Sequence, residues 1–342
     1  MVGTARGAGL VDQFGRRVHD VRISITDRCD FSCTYCMPTP VETAANDELL
    51  TVDELARLAW IFVRDFSVPS IRLTGGEPTV RRDVVDIVEA IAATGVTDLS
   101  MTTHGARLTH LAVPLANAGL HRLNVSLDTL DEHRYEQVTR RRRLAEVLAG
   151  LRVAREAGLW PIKLNAVLTA GSEVATDVCA LVEFAAAEGF AIRFIEYMPL
   201  DSAGQWTSSS VVPGRVVREV LEAAGWVWAD PGVDGASERG SAPAEMTWAT
   251  RGNDAVHVGV IASVNQPFCS ACDRVRITAD GAVRSCLFSH DEVDLRAALR
   301  GGAADHDVAA LIRDAVWRKP EAHGVGTPTF IQPRRAMSRI GG

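Results

Sequence analysis

Short runs rich in Val, Ile, Leu and Thr alternate along the first part of the chain with longer stretches whose apolar residues recur every three to four positions. That alternation is the pattern of βα units feeding a parallel sheet or barrel. Six runs read as strands, at 21–26, 70–74, 98–102, 122–127, 162–168 and 192–197. Helical periodicity fills the intervals at 52–65, 82–93, 107–118, 144–157 and 173–188. The count predicts an α/β fold, an incomplete TIM-like (β/α)6 barrel, over residues 1–200. After Pro199 the rhythm breaks into a Ser-rich stretch, a helix at about 213–224 and a Gly/Ser/Pro/Ala-rich segment, 230–244, that reads as a mobile loop. Residues 201–342 therefore form a C-terminal extension predicted to cover one end of the barrel, with a polar helical tail ending in Gly341-Gly342.

Composition narrows the class. Of 342 residues 47% are hydrophobic and 23% charged, the balance of a folded globular protein. A net charge of -7 argues against a general nucleic-acid binder, although a local basic pocket for a small anion remains open. The first residues lack an apolar signal core and no run is long enough to span a bilayer, so the expected location is the cytoplasm. Seven cysteines in a reducing compartment read as ligands or nucleophiles before disulfides.

Cys29, Cys33 and Cys36 form a C-x3-C-x2-C array on the loop after the first strand. Structural zinc closes with four ligands, whereas a [4Fe-4S] cluster held by three cysteines keeps one iron open for chemistry. From spacing alone, zinc completed by a distant residue remains an alternative. With Tyr35 before the last cysteine, the array resembles the signature of the radical S-adenosylmethionine (SAM) superfamily. The resemblance implies that the open iron chelates SAM, which is cleaved to a 5′-deoxyadenosyl radical. Thr74-Gly75-Gly76-Glu77-Pro78, after the second strand, is similar to that superfamily's SAM-binding GGEP run, and an unpaired Glu77 would suit an ammonium group.

A second group, Cys269, Cys272 and Cys286, has the spacing C-x2-C-x13-C; a zinc site completed by His257 or His290 is its alternative reading. Between these cysteines, period two puts Arg274 and Arg276 on one side of a strand. Two three-cysteine groups, this Arg-x-Arg, the phrases at 22–29 and 124–128, and the Gly-Gly end make the chain resemble the GTP 3′,8-cyclases of the MoaA family from about residue 10 onward. That resemblance implies two [4Fe-4S] clusters and SAM as cofactors, the first on Cys29, Cys33 and Cys36, the second on Cys269, Cys272 and Cys286. It implies SAM contacts from Tyr35, Gly76, Glu77, Ser126 and Met198. GTP would be held by Arg22, Arg72, Thr102, Lys163, Arg193, Arg274, Val275 and Arg276, with Arg274, Arg276, Gly341 and Gly342 in catalytic roles. The implied reaction is abstraction of the ribose 3′ hydrogen of GTP and closure onto guanine C8, the first step of molybdenum cofactor biosynthesis.

Implied partners are an electron donor such as ferredoxin or flavodoxin and, downstream, cyclic pyranopterin monophosphate synthase; no nucleic acid or membrane is expected, and a homodimer is compatible with the sequence. The competing functions are a radical SAM peptide-modifying maturase and, from another class, a non-catalytic zinc or redox module. Ser70 stands where the family often has Lys, and Asp30 and His104 where Asn is common. The run 140–143 reads as a solvated face with a role in anion steering open to it, and Cys179 as a buried packing residue.

Overall fold

The computed structural model describes residues 9–37, 42–171, 173–201, 203–229 and 243–341. Gly342 and nearly all of the loop expected to be mobile at 230–244 lie outside them. Strands β1 (Asp20–Ser24), β2 (Ser70–Thr74), β3 (Asp98–Thr103), β4 (Arg122–Ser126), β5 (Ile162–Leu168) and β6 (Ala191–Glu196) coincide with the six sequence runs. Around them run α1 (Val52–Phe66), α2 (Val84–Ala92), α3 (Leu108–Asn117), α4 (Glu132–Thr139), α5 (Leu144–Glu156), α6 (Val174–Glu188) and α7 (Arg215–Ala223). Helix α1 starts where its sequence dictates. The Thr51 hydroxyl accepts from Glu54 N–H at 3.2 Å while the Glu54 carboxylate accepts from Thr51 N–H at 2.8 Å, so two otherwise unpaired donors of the first turn are satisfied together. Helix α4 is absent from the periodicity reading because it buries only Tyr135 and Thr139 and so carries almost no apolar stripe.

The remaining elements are β7 (Val227–Trp228), β8 (Glu245–Arg251), β9 (Asp254–Ile261), β10 (Arg274–Ile277), β11 (Ala282–Arg284), β12 (Val293–Asp294), α8 (Leu295–Arg300), α9 (Asp305–Trp317) and α10 (Met337–Ile340). Strands β1 to β6 pair in chain order and in parallel, and β10 and β9 extend the parallel run beside β1 and β6. Antiparallel β11–β12 and β8–β7 finish the two edges, and among the described residues these edges do not pair with each other. The expected incomplete barrel is thus present, widened by one parallel strand on each side from the C-terminal extension. Both portions of the chain share this sheet and one hydrophobic core.

The parallel arrangement brings every loop that follows β1 to β6 to one rim, the face where such sheets place their chemistry. Period-two alternation then splits each strand. One face, including Val21, Ile23, Ile71, Leu73, Leu123 and Val125, packs against the helices and is fully buried. The other carries polar groups in register: Arg276, Arg22, Arg72 and Ser100 are lateral partners across β10, β1, β2 and β3. No helix among the described residues is long and apolar enough to cross a membrane.

Candidate functional site

The polar faces of β1, β2, β3, β5, β6 and β10 converge on one cavity of about 980 Å³, counted with the space open at its mouth. Arg22, Arg72, Thr102, Arg193, Arg274 and Arg276 all line it, together with Cys269, Cys272 and Cys286. Lys163 points from β5 but does not line the cavity; burial and the cations Arg193, Arg122 and Arg72 hold its amine down to about 8. Val275 faces the opposite way and is 1% exposed in the hydrophobic core, so its side chain is not a nucleotide contact. Ser70 donates to Asp98 at 2.8 Å, and that carboxylate also takes Arg122. Neither residue is therefore aimed at a ligand.

Charge in the cavity is one-sided. Burial, then Arg276 and Arg72, push the Arg22 guanidinium well below its ordinary value; burial with Arg72 and Arg122 brings Arg193 to about 9, and burial with Arg274 brings Arg276 to about 9. Guanidinium groups stay protonated in proteins, so these shifts express the crowding of like charges that a bound anion would relieve. Asp20, which the sequence reading missed, is a carboxylate set among them: burial would raise it, but Arg72 and Arg22, each 3.6 Å away, hold it at about 2. The Nε of Arg22, the Nε of Arg274, the amide nitrogen of Asn124 and the hydroxyl of Ser24 are buried without hydrogen-bond partners among the described residues. Unpaired buried donors are rare unless a ligand supplies the acceptors. Aim is also fixed in advance, since Arg193 donates to Asn124 and Asn165 at 2.6 and 2.9 Å and Arg274 stacks 4.6 Å over the Phe268 ring.

The second cysteine group is bracketed by two buried cations that the sequence reading also missed. Arg16 donates to Cys269 O at 2.7 Å, and Lys319 to both Cys272 O and Arg274 O at 2.8 Å. Burial raises the Cys272 thiol, but Arg274 and Lys319 outweigh it and bring it down to about 7, prepared to ligate as thiolate. Neither alternative fourth zinc ligand is at hand: His257 stacks on Trp248, and His290 meets Ile331 O at 3.1 Å. His323 lines the cavity, but its ring nitrogens meet Ser263 O and Val325 N–H, each at 3.0 Å.

Cys29, Cys33 and Cys36 sit on the loop after β1, pinned by N–H bonds from Cys36 and Met37 to Cys33 O at 3.0 and 2.8 Å. Burial pushes the Cys29 thiol up to about 12 and Cys36 up to about 11, with Glu77 and Asp30 adding to the effect at Cys29. Three protonated thiols among carboxylates fit a multi-iron cation that would stabilise their ionised form. Among the described residues, the one trio of ligand atoms lying mutually within 4.8 Å is Cys29, Asp30 and His104; neither cysteine trio is drawn that close. Asp30 in that trio is already neutralised by Arg107 and Arg143 at 2.9 and 3.1 Å and hydrogen-bonded to His104 Nε2 at 2.8 Å. The two departures from the family pattern are therefore partners of one another.

Glu77 is not unpaired as the sequence suggested. Its carboxylate, 1% exposed, accepts from Thr79 N–H at 3.0 Å, His104 N–H at 2.7 Å and the Thr103 hydroxyl at 2.6 Å. The glycines beside it serve the chain's own backbone: a Cβ on Gly76 would lie 2.3 Å from Arg28 O. Gly76 N–H and Glu77 N–H instead bond Thr26 O and Arg28 O at 2.8 Å, fastening this loop to the one that carries Cys29. Tyr35 donates to Asp128 at 2.9 Å, and burial raises that carboxyl to about 6. Ser126 ends β4 on the same rim, and Met198 lines the cavity. Cys179, expected to be buried, is only partly so on α6.

The tail closes the site. Met337 lines the cavity while Ser338 N–H reaches the Cys36 thiol, so α10 stands between the two cysteine groups. Arg335 ties it to Asp280 and Glu292 at 2.9 and 2.7 Å, and Arg276 donates to Gly341 O.

The radical SAM superfamily pattern matches residues 23–176, and the Molybdenum Cofactor Synthesis C pattern matches residues 190–325. The chain is 46% identical over 337 residues to the GTP 3′,8-cyclase of Mycolicibacterium smegmatis, covering 97% of this chain and 92% of that one. It is 47% identical over 337 residues to the GTP 3′,8-cyclase of Streptomyces coelicolor, covering 97% and 96%. Among solved structures, Streptococcus suis SuiB bound to S-adenosylmethionine superposes with a TM-score of 0.60 at 16% identity, over 81% of this chain and 63% of that one. Native anSMEcpe with bound AdoMet gives 0.55 at 11% identity, over 90% and 82%. At those identities the likeness shows a shared fold.

Proposed function

The chain belongs to the GTP 3′,8-cyclase family of the radical SAM superfamily, and from that premise we propose that it converts GTP to (8S)-3′,8-cyclo-7,8-dihydroguanosine 5′-triphosphate, the first step of molybdenum cofactor biosynthesis. The observation that carries this reading is the convergence of Arg22, Arg72, Arg193, Arg274 and Arg276 on a cavity also lined by three cysteines. A triphosphate of about four negative charges supplies the acceptors that these crowded, partly unpaired donors lack.

Cys29, Cys33 and Cys36 would hold one [4Fe-4S] cluster, beside the rim residues Tyr35, Gly76, Ser126 and Met198 proposed for SAM, with the Glu77 carboxylate bracing that rim. Cys269, Cys272 and Cys286 would hold the other. When bound, SAM and the reduced first cluster supply a 5′-deoxyadenosyl radical able to take a hydrogen atom from a sugar carbon. The protein's own work is positional. Arg22, Arg72 and Arg193 anchor the polyphosphate, Arg274 and Arg276 hold the nucleoside end near Cys272 and Cys286, and Ile261, Phe268 and Phe288 keep water from the reacting carbons. The N-terminal 200 residues would thus serve SAM and the polyphosphate, and the C-terminal portion the second cluster and the nucleoside end. A ferredoxin or flavodoxin would supply the electrons, and cyclic pyranopterin monophosphate synthase would take the product. Oxygen-labile clusters and free thiols suit the cytoplasm.

Nucleotide binding tests the reading without turnover. Equilibrium binding to the anaerobically reconstituted protein should be at least about ten-fold tighter for GTP than for GMP, because the triphosphate meets most of the cations. Equal affinities would count against the assignment.

A further inference from the structure

On the reading above, the first cysteine group needs electrons delivered one at a time from outside, and the run of arginines at 140–143 lies against that group's loop. Ser32 N–H donates to Thr139 O at 3.2 Å and Thr34 N–H to Val138 O at 3.0 Å, which lays the loop holding Cys29, Cys33 and Cys36 along the end of α4. Arg140 closes that helix with φ 58, one of two non-glycine residues in left-handed conformation among the described residues, and its side chain is exposed. Arg141 donates to Asp30 O at 2.6 Å, one residue from Cys29, and to Arg140 O at 3.0 Å, so its charge meets carbonyls and, among the described residues, no carboxylate. Arg142 leaves 83% of its side chain in solvent while bonding Glu136 at 2.7 Å.

Around this corner the guanidinium groups of Arg107 and residues 140–143 outnumber the carboxylates of Asp30, Glu136 and Glu146 five to three. The chain as a whole carries -7, so the corner is positive against the protein's own background. A local field of that kind attracts and orients a partner of opposite charge. We propose that the face formed by Arg140, Arg141 and Arg142 is the docking surface for an acidic one-electron carrier protein, seating its redox centre against the loop of the first cysteine group. The carrier gives up one electron and the first cluster gains it; no bond forms or breaks and no proton moves. Arg141 has a double position, since it also bonds the main chain beside Cys29 and so joins the docking face to the loop itself.

The test uses the anaerobically reconstituted protein, fully reduced flavodoxin as the acidic probe, and dithionite as a reductant that needs no docking. The double variant Arg140→Glu, Arg142→Glu leaves Arg141 in place. It should raise the flavodoxin concentration for half-maximal 5′-deoxyadenosine formation by at least about ten-fold, and weaken flavodoxin binding measured by calorimetry to the same degree. The dithionite-driven rate should stay within about two-fold of the parent. Unchanged flavodoxin dependence and binding would overturn the docking surface. If the variant also loses the dithionite-driven rate, the parent protein decides. Between roughly 20 and 300 mM salt its flavodoxin-driven rate should fall by about ten-fold while its dithionite-driven rate stays level, and a flat flavodoxin response would again overturn the proposal. Should the parent protein cleave no SAM even with dithionite, while flavodoxin still binds through these arginines, the cyclase reading fails and the docking surface survives.

Discussion

Replacing Gly341 with alanine is expected to lower formation of the cyclised nucleotide by about 100-fold or more while both cysteine groups keep their metal. The residue sits at φ +89, where an L side chain is strained. An added Cβ would lie 2.5 Å from the Ser24 hydroxyl oxygen and 3.0 Å from Thr74 Cγ2. Both neighbours end core strands and are at most 2% exposed, so neither can yield cheaply. The tail must therefore back out, and Arg276 loses the Gly341 carbonyl that fixes its guanidinium. The six ligating cysteines lie outside the tail and only Cys36 loses a contact, the Ser338 N–H, so iron content should be unchanged and SAM cleavage should persist without closure of the ring. Chromatography of 5′-deoxyadenosine and cyclised nucleotide from the same reaction separates the two effects. Unchanged turnover would remove the tail from the site.

Arg276→Ala should weaken GTP binding by about 30-fold to 1,000-fold, the effect of truncating one partner of a buried, hydrogen-bonded charge pair, roughly 2–4 kcal/mol. The residue is 5% exposed, and its guanidinium reaches the tail while it lines the cavity. Stability should respond differently. Burial and Arg274 together push this group down to about 9, so the folded protein holds the charge at a cost, and deleting it relieves part of that repulsion. Little change in thermal midpoint with a large loss of affinity is the expected pair of results. Arg276→Lys should recover only part of the binding, since an ammonium cannot reproduce the planar donor fork. Equal GTP affinity in the parent and alanine proteins would contradict the assignment.

These expectations rest on features that differ in how far the sequence exposes them. The six parallel strands were readable because each is a local run of β-branched residues ending near a turn, and the cysteine spacing was readable because it is local too. Helix α4 was not, lacking an apolar stripe. Hairpin β8–β9 had a usable signal, the two-residue Gly252-Asn253 turn between Arg251 and its partner Asp254, which the sequence reading passed over. Other parts could not be read from any local pattern. Asp20 matters because three strands bring Arg22, Arg72 and Arg276 around it, and Arg16 and Lys319 reach the second cysteine group from positions 253 and 47 residues away. Glu77 looked free for an ammonium group because its partners Thr103 and His104 belong to the next βα unit. Asp30 and His104 looked like two unrelated departures, and the fold makes them one hydrogen-bonded pair.

The most direct test of the central claim is an anaerobic assay of the protein reconstituted with iron and sulfide, reduced in the presence of SAM, and analysed with and without GTP for 5′-deoxyadenosine and for the 3′,8-cyclised nucleotide. The account predicts that both products appear together when GTP is present and that the cyclised product disappears in Cys269→Ala. SAM cleavage that yields no cyclised nucleotide from GTP would contradict it, and would redirect the search for substrate to peptides.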